Sequence, residues 1–344
     1  MENSDKVVEI GKGTRLHYID VMKGVTMLFV VLHHVFWLCG EHGISNSVTH
    51  IMLRHQQLYV CFIMPAFFFI TGYCSSFDKK ITKFFITNFK ALIIPSITLG
   101  LIIELLHERW DLWTYIKGSI YLGFFSFWFL YALFYSKFLY YMLRHCAHRK
   151  SIIFPLLIFL AFLGAYLSDT KIVRNFGMMW QVFNLTIYLA LGNLIRNCTI
   201  EQKIIKYGSI IYVFLAILSI VGLIEMPCVT AAFSSTLRLE PLHFLSAFSG
   251  CLFVFYACKK IDKCKLLEKI GKYSLVIYIL HCEFINLFLS AVNAGKINQL
   301  NNFATICFLL GIFVSAVGLS CLVSYILNLK YFCWMLGKIN LKFL

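Results

Sequence analysis

The sequence predicts an all-α, polytopic integral membrane protein of about ten transmembrane helices, with both termini cytoplasmic. Three observations predict it. The first is composition: 60% of the 344 residues are hydrophobic and 14% are charged, with a mean hydropathy of +0.78. A soluble domain carries about 25% charged residues, and this excess of apolar side chains has to face lipid. The second is the length and spacing of the apolar stretches. The third is the sidedness of the basic residues between them.

Crossing the hydrocarbon takes roughly 20 residues at a rise of about 1.5 Å each. Ten stretches come close to or exceed that length, at approximately 17–39, 58–75, 89–107, 118–142, 151–168, 178–196, 204–224, 239–258, 273–291 and 302–328. With a cytoplasmic N-terminus, 22 of the 31 Lys and Arg residues fall on the cytoplasmic side, the densest group being Lys259, Lys260, Lys263, Lys265, Lys269 and Lys272. Seven fall opposite: Arg54, Arg109, Lys117, Lys171, Arg174, Arg238 and Lys296. Lys23 and Lys137 lie within stretches. This bias follows the positive-inside rule and requires an even number of spans. The connecting loops are short, so the chain reads as one membrane domain over 1–344, led by a short cytoplasmic tail, 1–16. That tail is polar, and the first apolar run ends without a small-residue cleavage site, unlike a signal peptide.

A net charge of +15 could suit nucleic acid. The basic residues stand in short runs between apolar stretches, which fits a bilayer partner and excludes nucleic acid. The 13 cysteines lie mostly inside apolar runs, as do Cys39, Cys61, Cys251 and Cys307. No Cys-x-x-Cys pair occurs, so neither a disulfide framework nor a metal site is expected. Motifs of soluble hydrolases, metalloproteases and nucleotide-binding enzymes are absent as well. Any chemistry therefore belongs to polar groups within the spans or at their ends.

The first stretch carries the most informative set. Asp20, Lys23, Met27, Val31 and His34 are spaced three or four apart and share one helical face. His33 is turned about 100° away from it. Ionisable groups inside a span are costly and usually face a cavity or a partner. The plain structural reading is an Asp20–Lys23 ion pair beside a packed core histidine. Asp20 lies 14 residues before His34, about 21 Å along a straight helix, too far to orient it as a triad carboxylate would. Another helix should supply that contact, and Glu104 in the third stretch matches His34 in depth to within about 3 Å. Further on, Phe127-Trp128-Phe129-Leu130-Tyr131 opens an aromatic segment, while Tyr278 and His281 stand three apart on one face. Aromatic stripes are most often packing, but a histidine near mid-membrane calls for a partner.

Taken together, these segments resemble the acyltransferase-3 family of membrane O-acyltransferases. The run from Arg15 through Asp20 and Lys23 to His34 resembles the family's opening signature, with His34 at its essential histidine and Lys23 at its basic position. Met64-Pro65-Ala66-Phe67-Phe68-Phe69-Ile70-Thr71-Gly72-Tyr73 resembles the second-helix signature. Phe127 to Leu133 is similar to the "WFL" segment, Gly192 to a familiar "LG" ending, and Ile270 to His281 to the late "G…SL.IYLLH" segment. The order is conserved along essentially the whole chain, and the likeness is nearest to the short, fucose 4-O-acetylase-like branch. Two positions depart: Ile63 stands where the family often has a histidine, and Asn88 and Ala91 replace an Arg-x-x-Arg pair. The resemblance implies transfer of an acyl group, acetyl first, from acyl-CoA to a hydroxyl of a cell-surface sugar or glycan precursor. It implies acetyl-CoA as donor substrate, no permanently bound cofactor, and a multi-pass location in the cell (inner) membrane. It casts His34 as catalytic, to which the depth match adds Glu104 as a second catalytic candidate; Arg15, Asp20, Lys23, Lys90, Trp128, Tyr278 and His281 are the candidates for binding substrate or donor. Lys90, Lys83 and the 259–272 loop are the basic groups left to meet the CoA phosphates. The residues alone also allow a transporter of a glycan precursor or small anion.

Overall fold

A computed structural model describes residues 16–107, 127–147, 150–168, 179–196, 198–226 and 241–338. Arg15 and most of the tail it closes lie outside the described residues, as do Arg109, Lys117, Lys171, Arg174 and Arg238. Every regular element among the described residues is helical. Helices satisfy their own backbone hydrogen bonds, which lipid cannot do for them.

The chain begins with α1 (His17–Glu41). It ends where the His42 N–H returns to the Leu38 carbonyl and Gly43 adopts a positive φ of 74°. A short α2 (Ser47–His55) starts at a reciprocal cap between Asn46 and Thr49. Then come α3 (Gln57–Cys74) and α4 (Ile81–Asn88), followed by a π-helical turn (Phe89–Ile93) that runs into α5 (Ile94–Leu106). Pro95 explains that turn. It has no N–H to return to the preceding carbonyls, and the helix widens there to a longer hydrogen-bonded loop. The rest are α6 (Trp128–Cys146), α7 (Ile153–Ser168), α8 (Met179–Arg196), α9 (Glu201–Ile220), α10 (Pro241–Ile261), α11 (Lys265–Ser290), the short α12 (Ala294–Asn298) and α13 (Asn302–Leu327).

Each of the ten apolar stretches coincides with helix in the described residues. Seven helices are long and apolar enough to cross a membrane: α1, α3, the rod Ile81–Leu106, α9, α10 over Leu242–Ile261, α11 and α13. The other three fall short for identifiable reasons. The described part of α7 is 16 residues long, short of a full crossing. α6 carries Lys137 and Arg144, and α8 carries Gln181, Asn184, Asn193 and Arg196. α8 lies deep in the bundle, packed on α3, α6 and α7, so its polar residues are buried against protein and not presented to lipid. α9 and α13 lie at the other extreme. Their outer faces expose Ile210, Phe214, Phe303, Leu310 and Val314, as a lipid-facing surface requires.

Two close helix crossings organise the core. On α8, Gly192 lies against the carbonyl of Phe69, and Gly72 of α3 against that of Leu189. The second crossing joins α1 to α11 and positions the site. In both, glycine is required because a Cβ would enter the opposing backbone.

Candidate functional site

α1 and α11 run parallel, in a register read from five contacts along their length. Near the start, His17 Nδ1 bonds Glu268 at 2.9 Å. A Cβ on Gly24 would lie 2.2 Å from the Leu267 carbonyl oxygen, and one on Gly271 would lie 1.9 Å from that of Asp20. Farther along, the His34 and His281 rings meet at a centroid distance of 4.7 Å, nearly perpendicular. At the far end, His42 Nε2 donates to Asn286 Oδ1 at 3.2 Å. Residues along the first helix thus pair with residues about 250 positions later, from 267–271 at one end to 281 and 286 at the other.

The two rings are fixed in the same way. His34 Nδ1 lies 2.9 Å from the Val30 carbonyl, and His281 Nδ1 lies 2.9 Å from the Ile277 carbonyl. A carbonyl can only accept, so each Nδ1 carries a proton, and each neutral ring presents a lone pair at Nε2. The Cys282 thiol points at His281 Nε2, with S and N 3.3 Å apart. One ligand atom from each of His34, His281 and Cys282 lies within 4.8 Å of the other two. These donor types could hold a thiophilic cation such as zinc. They are also a base, a second base and a nucleophile in contact.

The surroundings separate the sequence candidates. His33, as its face predicts, turns elsewhere: its Nδ1 meets Gln56 Oε1 at 2.8 Å. Trp37 closes over His34 edge to face. Tyr278 packs on His281 and, through its hydroxyl, accepts the N–H of Phe129 at 3.3 Å. The aromatic segment at the start of α6 is therefore attached to α11 one turn from the histidine. Phe129 makes that contact, with Trp128 lying against Phe129. Asp20 is buried and lies 3.7 Å from Lys23 Nζ, a full helix half away from His34. The sequence argument looked to another helix to orient His34. The Nδ1 contact comes instead from its own helix, because an i−4 carbonyl lies within reach of the ring. Glu104 stands half-buried on α5, one turn before His107, whose Nε2 bonds Glu283 at 2.7 Å.

Lys90 belongs to a different place. It sits on the π-helical turn and lines a cavity of about 440 Å³ at the end where α1 and α11 begin. Lys272, Lys338, Thr87, Tyr273 and Asn328 share the lining, and among the described residues no carboxylate does. Lys338 Nζ bonds Asn328. Gly337, with a φ of 68°, lies against the Lys90 carbonyl and seals one wall. Asn88 turns inward to the Phe84 carbonyl. A second cavity, about 590 Å³, contains Arg144 and Arg196. There Arg144 is held by Asn193 and Asp78, and Arg196 by the Tyr73 carbonyl.

Sequence reasoning missed Cys282 and Lys338. Both belong to groups assembled from distant segments, and the search for ligands considered only neighbours in sequence. The signal for Cys282 was its position beside His281.

The described residues form an all-helical protein with several helices apolar enough to cross a membrane, whose first long helix meets a late one at a histidine pair. Comparison with protein families agrees: the acyltransferase domain model of the acyltransferase-3 family matches residues 16–325. The chain belongs to this acyltransferase family. No curated protein and no solved structure matched it.

Proposed function

We propose that the chain is a membrane O-acyltransferase that moves an acyl group, acetyl first, from acyl-CoA to a hydroxyl of a cell-surface sugar or glycan precursor. The observation that carries this reading, beyond family membership, is the His34–His281 pair with both Nε2 lone pairs unprotonated. A base that removes a hydroxyl proton during acyl transfer needs such a lone pair, and His34 Nε2 supplies it. Glu104, on the helix whose end bonds α11 through His107 and Glu283, is the carboxylate we assign to support the charged imidazolium as it forms.

The reading includes ten spans, cytoplasmic termini and a location in the cell inner membrane. Parallel packing of α1 and α11 supports the count. Parallel spans need an odd number of crossings between them. The helices α3, α4–α5, α9 and α10 provide four, and adding α6, α7 and α8 makes seven. The lysine-lined cavity then opens to the cytoplasm. A polyanionic donor suits it, and Lys90, Lys272 and Lys338 take over from the missing arginine pair. The second cavity is the poorer candidate because its arginines already have partners. Lys23 stands between this end and the histidines, on the path a thioester would follow. The acceptor meets His34 from the opposite side. Within the family, the reading assigns the chain to the fucose 4-O-acetylase-like branch.

The test follows CoA release from acetyl-CoA by purified protein in nanodiscs, with and without cell-envelope glycan. Wild type should release CoA in an acceptor-dependent way. His34→Ala should lower the rate by about 10²- to 10⁴-fold, the usual worth of a general base. His33→Ala, whose ring faces Gln56, should stay within about tenfold of wild type. Equal rates for His34→Ala and wild type would remove His34 from the chemistry. Absence of any acyl-CoA binding or turnover by wild type would refute the acyl-CoA reading.

A further inference from the structure

The proposed function uses one imidazole and leaves the other unexplained. A single base suffices to take a proton from an acceptor hydroxyl, yet His281, only 2% exposed, holds a second Nε2 lone pair at the centre. That lone pair faces the Cys282 thiol at 3.3 Å. Cys61, Cys251 and Cys333 point their thiols at backbone carbonyls, which cannot take a proton. Cys282 points at a group that can.

Building on the acyltransferase reading, we infer that Cys282 is a nucleophile that carries the acyl group between donor and acceptor. In the first half-reaction the Cys282 proton passes to His281 Nε2 and the sulfur attacks the thioester carbonyl of acyl-CoA. The S–C bond to CoA breaks, and the departing CoA sulfur takes the proton back from His281. One thioester has replaced another, so the step is close to isoenergetic and keeps the acyl group activated. In the second half-reaction His34 Nε2 takes the acceptor hydroxyl proton, and the oxygen attacks the Cys282 thioester. The sulfur leaves and the proton returns to it within the imidazole pair. The product is an ester and the thiol is restored. Nothing is oxidised or reduced.

This division gives each imidazole one nucleophile: His281 the sulfur it touches, His34 the incoming oxygen. It also fits the placement of the three groups. Cys282 and His34 are partly exposed while His281 is buried between them. A bulky CoA can thus depart before the acceptor arrives, and the two substrates never occupy the centre together. The expected kinetic form is ping-pong.

The experiment uses the full chain in nanodiscs, treated with EDTA so that no cation occupies the same three atoms. Radiolabelled acetyl-CoA is added without acceptor, the reaction is quenched in acid, and the label is mapped by peptide mass spectrometry. His34→Ala should accumulate close to one label per chain on Cys282, because only its second half-reaction is blocked. Neutral hydroxylamine should release that label. Cys282→Ala should carry none and lose acceptor-dependent turnover by at least about 10²-fold. Cys282→Ser, nearly the same size, should elute as wild type does and retain at most a slow, hydroxylamine-resistant ester. Turnover of acetyl-CoA by Cys282→Ala at the wild-type rate would overturn the inference and leave the acyltransferase reading standing. So would turnover by wild type with label on His34, or with no label in His34→Ala. If wild type turns over no acyl-CoA at all, the broader reading fails first.

Discussion

Gly271→Ala tests the connection between helix packing and chemistry. The added Cβ would stand 1.9 Å from the Asp20 carbonyl oxygen, where ordinary contact begins near 3.4 Å. The obstacle is backbone, so no side chain can move aside. α1 and α11 must separate by the difference, about 1.5 Å, and overpacking of this kind costs roughly 1–3 kcal/mol. The histidine pair lies ten residues along, about 15 Å, on the same two rods. A misplacement of about 1 Å at reacting groups can cost about 10²-fold in rate, so acyl transfer should fall by that factor or more. The assay pairs CoA release with thermal unfolding in detergent. Gly311→Ala and Gly318→Ala on α13 are the controls. A Cβ there meets nothing within 4 Å, and each should leave the rate unchanged and hold or slightly raise stability. A Gly271→Ala protein with wild-type rate and melting temperature would refute the close crossing itself. Lost stability with an unchanged rate would refute the claim that separation reaches the histidines.

Further measurements address other parts of the molecule. Lys90→Ala, Lys272→Ala and Lys338→Ala should each raise KM for acyl-CoA roughly five- to tenfold, about 1–1.4 kcal/mol, with kcat little changed. Added salt should shrink the difference; a change in kcat alone would remove the donor from that cavity. Tyr278→Phe strips the acceptor from the Phe129 N–H and should cost about 1–3 kcal/mol in thermal or denaturant unfolding. Asn184→Leu should move stability the other way, by about 1 kcal/mol, because both polar atoms of the Asn184 side chain are buried without a hydrogen-bond partner among the described residues. A lowered melting temperature in that variant would show that the amide has a partner in the membrane.

The architecture was legible wherever a helix faces lipid, because length and hydropathy are then local properties. It was least legible at α6 and α8, where burial inside the bundle relaxes the demand for apolar residues. The facing of α1 could be read as well. A 3.6-residue period separates His33 from His34, and the structure turns the former to Gln56 and the latter to His281. What spacing cannot supply is which helix is the neighbour. His281 and Cys282 lie 247 and 248 residues from His34, and no local pattern encodes that pairing. The oversight at Val30 had a different source: the triad analogy directed attention to a second helix, although a helical histidine can bond its own i−4 carbonyl.

The parallel pairing of α1 with α11 also bears on how the molecule comes into being. The first helix leaves the ribosome about 250 residues before the last residues of its partner. At roughly 5–20 residues per second, α1 waits about 10–50 s in the bilayer with Asp20, Lys23 and His34 lacking their neighbours. During that interval Gly24 and the histidine face stand open to whatever helix passes, and His34 lacks the His281–Cys282 pair that α11 brings. On the mechanism proposed above, a nascent or truncated chain ending before α11 lacks Cys282 and His281 and should transfer no acyl group, which a truncation at residue 264 assayed for CoA release would check. On that mechanism, insertion of a late helix, when the bundle is nearly whole, is the event that completes the site.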